Sequence, residues 1–588
     1  MNAPTVHDPG SPSNNFWVPP GELDKMMALQ WLLCILSFGV PLALANPNCP
    51  IYGAEFPKPQ RLAESAIWKS AMENLTATFN EVDTTAVNYS YTVQVFSTNP
   101  GPPILFERFT TAQNLPSNTT GVKKVDVDTV FRIGSVTKIF TVLAFLAEMG
   151  DQYFNRPITE FIPELQDIVN RRGNETVDEL RTVKWEDITI EALLSQSSEA
   201  GVPPTSLSPP CGVNPLCNRT QFFEGIANSY PSFAPWKTPA YSNIAFQLLA
   251  YALEKMTGRP FLTSLNERVL NPLDLRHTYY RDPPERVGVI PRNISQTGWR
   301  AYIGDESPSG NMFASTGDLT ALGRAVLGST VLKPAMTRRW LKPVTYSSDN
   351  VAAVGMPWGL RRLRLSAANP HRTVTAFTKA GGVGDYSSLL TVLPEFDLGI
   401  TVMVAGPQTA GGIWTMADYI GAVVLPAYDA ATRDDANGRY AGRYAADPAV
   451  YPNLTSSLEI TTDPAKPGLG LTSWASNGTD MVLVAQSLQS GMSVPSDPGA
   501  GNSSTPSVRL YYTGLQSGPR EAFKAVFEAQ GAPDNPGTGF STDCGTWIDY
   551  TGVTYAGMPL DEFIFESDDT GKVLSVKNLA LNVTLQKL

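Results

Sequence analysis

Histidine is almost absent from this chain of 588 residues, which contains only His7, His277 and His371. A zinc hydrolase needs several His or Cys ligands at close spacing, and the sequence offers no such group, so we predict no metal and no cofactor. A Ser-His-Asp triad would have to use His277 or His371, and no Gly-x-Ser-x-Gly turn supplies its serine. These absences argue against two common designs of hydrolytic site.

Runs of lysine and arginine are also missing, and the net charge is −11. A surface of this sign repels a phosphate backbone, so we expect no nucleic-acid partner. Hydrophobic residues make up 42% and charged residues 17% of the chain, which is typical of a globular protein. The length predicts more than one folding unit, and it leaves the oligomeric state open.

Only one segment is long and apolar. Residues 27–45 end in Ala43-Leu44-Ala45, the small-x-small pattern that signal peptidase accepts. We therefore predict a cleaved signal peptide and a secreted protein without a stable membrane span. An uncleaved anchor is the alternative, and Gly39 and Pro41 weaken it. Residues 1–26 form a polar, Pro-rich leader that signal peptides do not carry, which we interpret as an artefact of the gene model.

Cysteine is scarce, and one of the five cysteines, Cys34, lies inside the apolar segment. Signal cleavage would leave four, an even number in an oxidising compartment. Cys211 and Cys217 flank the turn Gly-Val-Asn-Pro-Leu, which a disulfide could close, and this leaves Cys49 to pair with Cys544. Four free buried thiols are the alternative.

Asn-x-Ser/Thr sequons occur along the whole chain, and passage through the secretory route predicts that they are glycosylated. They begin at Asn74, Asn88, Asn118, Asn174, Asn218, Asn293, Asn453, Asn477, Asn502 and Asn582.

Hydrophobic periodicity predicts a large α+β domain over residues 61–428. A helical pattern over 62–80 precedes alternating runs at 89–96 and 104–109, and a second hairpin is predicted at 389–393 and 398–404. This order indicates an antiparallel sheet flanked by helices. Around this domain we predict a Pro-rich tether (46–60), a patternless polar linker (429–440) and a smaller all-β domain (441–588), with short alternating runs at Met481–Ala485 and Val508–Tyr512.

Lysine can activate a serine nucleophile when its amine lies within hydrogen-bond reach of the hydroxyl. Ser135-Val136-Thr137-Lys138 is the only Ser-x-x-Lys segment in the chain. Positions i and i+3 share a helix face, and the almost wholly apolar run 139–149 predicts a buried helix whose N-terminus favours a developing anion. The alternative is a capping serine beside a surface lysine, which the apolar residues after Lys138 argue against.

Several segments then resemble one family, the penicillin-binding proteins and class C β-lactamases. Residues 128–141 (D-T-V-F-R-I-G-S-V-T-K-I-F-T) resemble its nucleophile segment, 240–258 its Tyr-x-Asn motif and following helix, and 378–388 (T-K-A-G-G-V-G-D-Y-S-S) its Lys-Thr-Gly strand. Residues 188–198 and 309–319 are similar to two further segments, in the same order. The resemblance covers residues 60–425, and the C-terminal region resembles the accessory β domain of fungal secreted members.

The resemblance implies a β-lactamase/transpeptidase-like fold with an all-helical subdomain and four catalytic residues. Ser135 would attack a carbonyl and become acylated. Lys138 and Tyr241 would share the proton transfers, with two neighbouring ammonium groups lowering the pKa of the tyrosine. Lys379 would supply positive charge facing Tyr241 and a substrate carboxylate.

Two further residues follow from the same resemblance. Asn243 would orient Lys138 and the substrate amide, and the oxyanion would lie between the backbone N–H groups of Ser135 and Gly382. The chain departs from the family at Ala380, where a hydroxyl residue or a glycine is usual. The missing hydroxyl favours esters, amides or acyl transfer over efficient β-lactam hydrolysis.

The resemblance therefore implies a secreted serine hydrolase that forms an acyl-enzyme on Ser135 with an ester, amide or lactam, from a small-molecule or peptide-like acyl substrate. One alternative is an acyltransferase or hydrolase that tailors a fungal secondary metabolite. Another is a secreted binding protein on an inactive scaffold, which the complete set of Ser135, Lys138, Tyr241 and Lys379 argues against.

Overall fold

The computed structural model describes residues 51–99, 102–172, 178–197, 218–365, 372–407, 412–490, 506–529 and 552–588. The leader, the expected signal peptide, all four cysteines of the expected disulfides, and the sequons at Asn174 and Asn502 lie outside these ranges. Within these ranges, no helix is both long enough and apolar enough to cross a membrane.

The first domain mixes helices and strands. Its helices are α1 (Ala66–Thr85), α2 (Thr137–Met149), α3 (Pro163–Arg171), α4 (Ile190–Leu194), α5 (Arg219–Ala227), α6 (Ile244–Thr257), α7 (Phe261–Leu265), α8 (Ile294–Thr297), α9 (Ser307–Gly310), α10 (Thr316–Leu327), α11 (Pro334–Trp340) and α12 (Gly412–Tyr440). Its strands are β1 (Ser90–Ser97), β2 (Ile104–Thr110), β3 (Val130–Arg132), β4 (Phe313–Ser315), β5 (Thr345–Tyr346), β6 (Ala352–Val354), β7 (Gly359–Arg364), β8 (Thr373–Val383), β9 (Tyr386–Leu393) and β10 (Leu398–Ala405).

Eight of these strands form an antiparallel sheet in the order β2-β1-β10-β9-β8-β7-β6-β5. Every residue of β1, β9 and β10 is buried, because helices cover both faces of the sheet. On one face, Phe79 of α1 and Ile420 of α12 share an apolar cluster with Val93. On the other face, Leu322 of α10 shares a second cluster with Leu390. The predicted α+β fold and both predicted hairpins are confirmed.

A helical region lies between β3 and β4 in the chain and carries part of the candidate site. The first ten residues of α2, Thr137–Leu146, are buried, as the apolar run predicts, and Gly150 ends the helix with a φ of +60°. Helix α6 is also buried over its first ten residues and contacts α2, α4 and α9.

The C-terminal domain is built mainly of strands, as predicted. They are β11 (Gly442–Ala446), β12 (Ser457–Thr462), β13 (Leu469–Ser476), β14 (Thr479–Asp480), β15 (Pro506–Ser517), β16 (Arg520–Ala529), β17 (Thr554–Tyr555), β18 (Met558–Pro559), β19 (Glu562–Ser567), β20 (Val573–Asn578) and β21 (Val583–Lys587). The described part of the domain also contains helix α13 (Met481–Ser490). Among the described residues of this domain, nine strands form one sheet, in which β12 also pairs with β13 so that the sheet closes on itself.

The expectation of a strand at Met481–Ala485 is wrong, because these residues begin helix α13. The Asp480 carboxylate accepts hydrogen bonds from the backbone N–H groups of Val482 and Leu483, which caps the helix. Met481 and Ala485, one helical turn apart, are both buried in the domain core. An apolar run this short is compatible with the two-residue period of a strand and with the 3.6-residue period of a helix. The cap at Asp480 favours the helix.

Residues 429–440 are not a patternless linker but the last turns of α12. Their charged side chains pair at helical spacing, Asp429 with Arg433 and Asp435 with Arg439. Ala436 and Tyr440 are buried in the core of the C-terminal domain. The helix therefore runs directly from the first domain into the second.

The described part of the expected tether, residues 51–60, is packed rather than free. Phe56 is 4% exposed and belongs to the apolar core of the C-terminal domain. The Glu55 carboxylate is buried and forms ion pairs with Arg372, at 2.7 Å, and with Arg433, at 3.3 Å. The proline-rich composition of the segment predicts a tether, and the sequence does not reveal these contacts, because both arginine partners lie hundreds of residues away in the chain.

Candidate active site

Ser135 lies in a tight turn, residues 134–136, between β3 and α2. Strand β3 pairs with β4, which fixes the entry to this turn. Gly134 has a φ of +48°, and a Cβ at this position would lie 2.5 Å from the backbone nitrogen of Gly382. Only glycine fits here, because both the left-handed backbone and the close approach exclude a side chain.

Strand β8 packs with its backbone directly against this turn. A Cβ on Gly381 would lie 2.0 Å from the carbonyl oxygen of Ile133 and 2.6 Å from the backbone nitrogen of Ser135. The Ser388 hydroxyl of β9 donates to the same carbonyl, at 2.8 Å. The structure therefore brings the segments of Gly382 and Ser135, the expected oxyanion pair, against one another.

Lys138 is fully buried on the first turn of α2, and its amine is held on three sides. Its Nζ lies 3.2 Å from Ser135 Oγ, 2.7 Å from Asn243 Oδ1 and 2.8 Å from the carbonyl oxygen of Ser309. Three acceptors converge on one nitrogen, so the amine is fixed beside the serine hydroxyl. Asn243 thus orients Lys138, as the family resemblance implies.

Lys379 on β8 is also buried, and its Nζ lies 5.3 Å from the centre of the Tyr241 ring. Burial lowers the pKa of Lys379 to about 8. Burial, reinforced by the Lys379 charge, holds the pKa of Lys138 well below its usual value, while Glu306 opposes this change. Both lysines therefore lose their protons more readily than exposed lysines do.

The Tyr241 hydroxyl and Ser135 Oγ are joined by a short hydrogen bond in which either oxygen can donate. Although 39% of the residue is exposed, this hydroxyl end lies within the site. Lys138 Nζ lies 4.7 Å from the ring centre. The expectation that two ammonium groups lower the pKa of this tyrosine is wrong. Burial raises the pKa of Tyr241 to about 12, the charge of Glu306 adds to this rise, and the hydrogen bond with Ser135 opposes it.

Sequence reasoning missed one ionisable residue of this site, Glu306. It ends the turn 304–306 that leads into α9, and it is 1% exposed. Burial raises its pKa to about 7, and the Lys138 charge lowers it in part. No sequence signal marks this residue, because it shares no local spacing with the serine or the lysine.

The described sequons all present their asparagine at the surface. The exposed residues are Asn74, Asn88, Asn118, Asn218, Asn293, Asn453, Asn477 and Asn582.

His277 contacts acidic residues rather than the serine. Its Nδ1 is 3.4 Å from Asp128, and its backbone N–H donates to Asp318.

Comparison with known proteins gives two family matches and several relatives. A family model described as Beta-lactamase matches residues 94–424, more than half of the chain, and one described as Beta-lactamase-like-like, C-terminal domain, matches residues 432–588. A "Beta-lactamase-like protein" of Arthroderma benhamiae is 28% identical over 93% of this chain and 97% of its own length.

Two further relatives carry more specific names. The "Probable hydrolase clz13" of Cochliobolus lunatus is 26% identical over 87% of this chain and 89% of its own length. The "D-alanyl-D-alanine-carboxypeptidase/endopeptidase AmpH" of Escherichia coli is 25% identical over 47% of this chain and 71% of its own. Together with the fold and the placement of Ser135 and Lys138, the family match shows that this chain belongs to the beta-lactamase family of serine hydrolases, extended by a family-specific C-terminal domain.

Proposed function

We propose that this protein is an exported serine hydrolase that forms an acyl-enzyme on Ser135 with an ester, amide or lactam substrate. One observation carries the proposal: the Ser135 hydroxyl is contacted at once by a buried amine, Lys138, and by a phenol, Tyr241. A base on one side and an acid on the other are what acyl transfer to a serine requires.

The reaction follows from these positions. Lys138 takes the proton from Ser135 Oγ while this oxygen bonds to the acyl carbon. The electron pair of the carbonyl double bond moves onto the carbonyl oxygen, which becomes the oxyanion. The backbone N–H groups of Ser135 and Gly382 stabilise the oxyanion. Tyr241 then donates its proton to the leaving group as the bond between the acyl carbon and the leaving group breaks. The proton on Lys138 passes to Tyr241 and restores the phenol. Water finally hydrolyses the acyl-enzyme.

The strand beside the serine favours an extended substrate. In the described residues, β7 pairs with β8 only as far as Thr378, so residues 379–383 pair on one side alone, with β9. An open strand edge can hydrogen-bond a peptide-like backbone. Ala380 offers no hydroxyl and contacts the apolar cluster beneath the sheet. We therefore expect esters and amides to be turned over faster than β-lactams.

Export is the second part of the proposal. The apolar segment 27–45 supports it, and so do the eight sequon asparagines at the surface. The pairing of Cys49 with Cys544 stays a prediction, as does that of Cys211 with Cys217.

A fluorophosphonate probe tests the nucleophile, because it reacts with an activated serine and stays attached. We expect labelling of the purified full chain, and we expect Ser135→Ala to abolish it while the melting temperature changes little. Ser347→Ala, which alters an exposed serine in a loop, serves as the matched control and should keep full labelling.

Labelling that persists in Ser135→Ala would contradict the assignment of the nucleophile. A wild-type chain that no probe labels would favour the binding-protein alternative instead. If the acyl-enzyme forms but an added amine or alcohol, rather than water, releases the acyl group, the protein is an acyltransferase.

A further inference from the structure

The turn that carries Glu306 also carries one of the groups that hold the catalytic lysine. Glu306 directly precedes α9, and the carbonyl of Ser309, three residues later, accepts the hydrogen bond from Lys138 at 2.8 Å. Helix α6, which begins at Ile244 directly after Asn243, packs against the same turn. The acidic side chain is therefore enclosed in the same packing that holds Lys138, with 1% of the residue exposed.

Two polar atoms of this turn are buried without a hydrogen-bond partner among the described residues, Glu306 Oε1 and Ser309 Oγ. Residues three positions apart on a helical turn share a face. A buried carboxylate without a paired cation is costly, and natural structures retain such groups where they serve a purpose. Packing alone would be served better by an apolar residue at position 306.

The ionisable groups around Glu306 come from several elements. Lys138 on α2 acts on its charge directly, and Tyr241, before α6, senses the charge of Glu306. Lys379 on β8 faces the ring of Tyr241 and acts on the charge of Lys138. Arg132 on β3 binds the carbonyl of Ala301 and the side chain of Asn311, on either side of the turn.

The remaining ionisable groups near the turn are oriented elsewhere. Tyr280 bonds to Ser307, which follows Glu306. On α6, Glu254 accepts from the backbone of Phe261, and Lys255 lies beside it in the last turn. Lys138 is therefore the cation that Glu306 can act on.

We propose that Glu306 is a positioning residue whose charge sets the pH at which Lys138 becomes the neutral base for Ser135. This inference rests on the proposed function. When Lys138 takes the Ser135 proton, an ammonium group forms in a buried site, and the nearby carboxylate of Glu306 stabilises it. The same carboxylate raises the pKa of Lys138, so that more alkaline conditions are needed to free the amine.

The test is the pH dependence of Ser135 acylation in a single turnover, followed with p-nitrophenyl acetate between about pH 5 and pH 10. Glu306→Gln removes the charge and keeps the shape. The acid limb is the part of the pH profile in which the acylation rate rises as Lys138 loses its proton. Because Lys138 loses its proton more easily in this variant, we expect the acid limb to shift to lower pH by about one unit. We also expect a lower plateau, because the amine is a weaker base.

Three variants complete the design. Glu306→Met, a second neutral side chain of similar volume, should give the same shift, so the test holds if either neutral variant fails to fold. Glu306→Asp keeps the charge and should keep the limb near the wild-type position. Glu267→Gln removes an exposed carboxylate that pairs with Arg259, and it should leave the profile unchanged.

An acid limb that stays at the wild-type pH in the neutral variants would overturn the role of Glu306 while leaving the Ser135 mechanism intact. A shift in Glu306→Asp as large as in Glu306→Gln would also overturn it, because packing rather than charge would then be responsible. If the wild type itself is not acylated, the proposed function fails first, and this inference fails with it.

Discussion

At the scale of single residues, burial acts in opposite directions on the two groups that contact Ser135. Lys138 is fully buried, so its ammonium form is disfavoured and its pKa is lowered. Burial raises the pKa of Tyr241 to about 12, so its hydroxyl keeps its proton at neutral pH. One environment thus prepares a base and an acid on either side of the nucleophile.

Tyr241→Phe tests this division of roles. We expect the acylation rate to fall by about 10²- to 10⁴-fold, because the proton donor to the leaving group is lost. The acid limb of the pH profile should stay where it is, since Tyr241 does not titrate below about pH 10. Single-turnover rates across pH measure both quantities. A limb that disappears in Tyr241→Phe would mean that the tyrosine is the titrating base.

The sequence predicts those parts of the site that are local in the chain. Ser135 and Lys138 lie three residues apart, so their contact follows from helix geometry alone. The contacts of Lys138 with Asn243 and Ser309 span 105 and 171 residues, and only the family resemblance anticipated the first of them. Glu306 was not predicted, because its importance depends on burial that no local pattern records.

At the scale of elements, helix α12 connects the two domains, because its residues pack in the cores of both. Ile420 contributes to the cluster beneath the first sheet, and Tyr440 to the core of the second domain. The last turns of the helix carry charged residues, of which Asp429 and Arg433 pair with Glu55 and Arg372 in one buried cluster. This polarity is what made the segment resemble a linker in the sequence.

Glu55→Ala should destabilise the junction. Removal of this carboxylate leaves Arg433 and Arg372 with less compensating charge in a buried place, and breaking a buried ion pair costs about 3–5 kcal/mol. We expect the free energy of unfolding in urea to fall by that amount. Glu73→Ala, at an exposed position of α1, should change it by less than about 0.5 kcal/mol. Equal stabilities for the two variants would show that the cluster does not hold the junction.

At the scale of the whole molecule, the sequons test the proposed route of export. Eight asparagines are exposed on described parts of both domains, so an oligosaccharyltransferase can reach them in the folded or the unfolded chain. We expect N-glycosidase treatment to lower the mass of the secreted protein and to convert several of these asparagines to aspartate. An untreated protein with the mass of the bare polypeptide would contradict export through this route.

The packing of the segment around Glu55 also sets an order of events during synthesis. Arg433 is 378 residues and Gly468 is 413 residues further along the chain, and both contact the Glu55 carboxylate. At about 5–20 residues per second, a ribosome reaches Gly468 roughly 20–80 s after it has made Glu55. During that interval Phe56 has no core to enter, although the first domain is nearly complete. A nascent chain halted before α12 is finished would therefore leave Phe56 unpacked, because the core that receives it is built from residues 436–585.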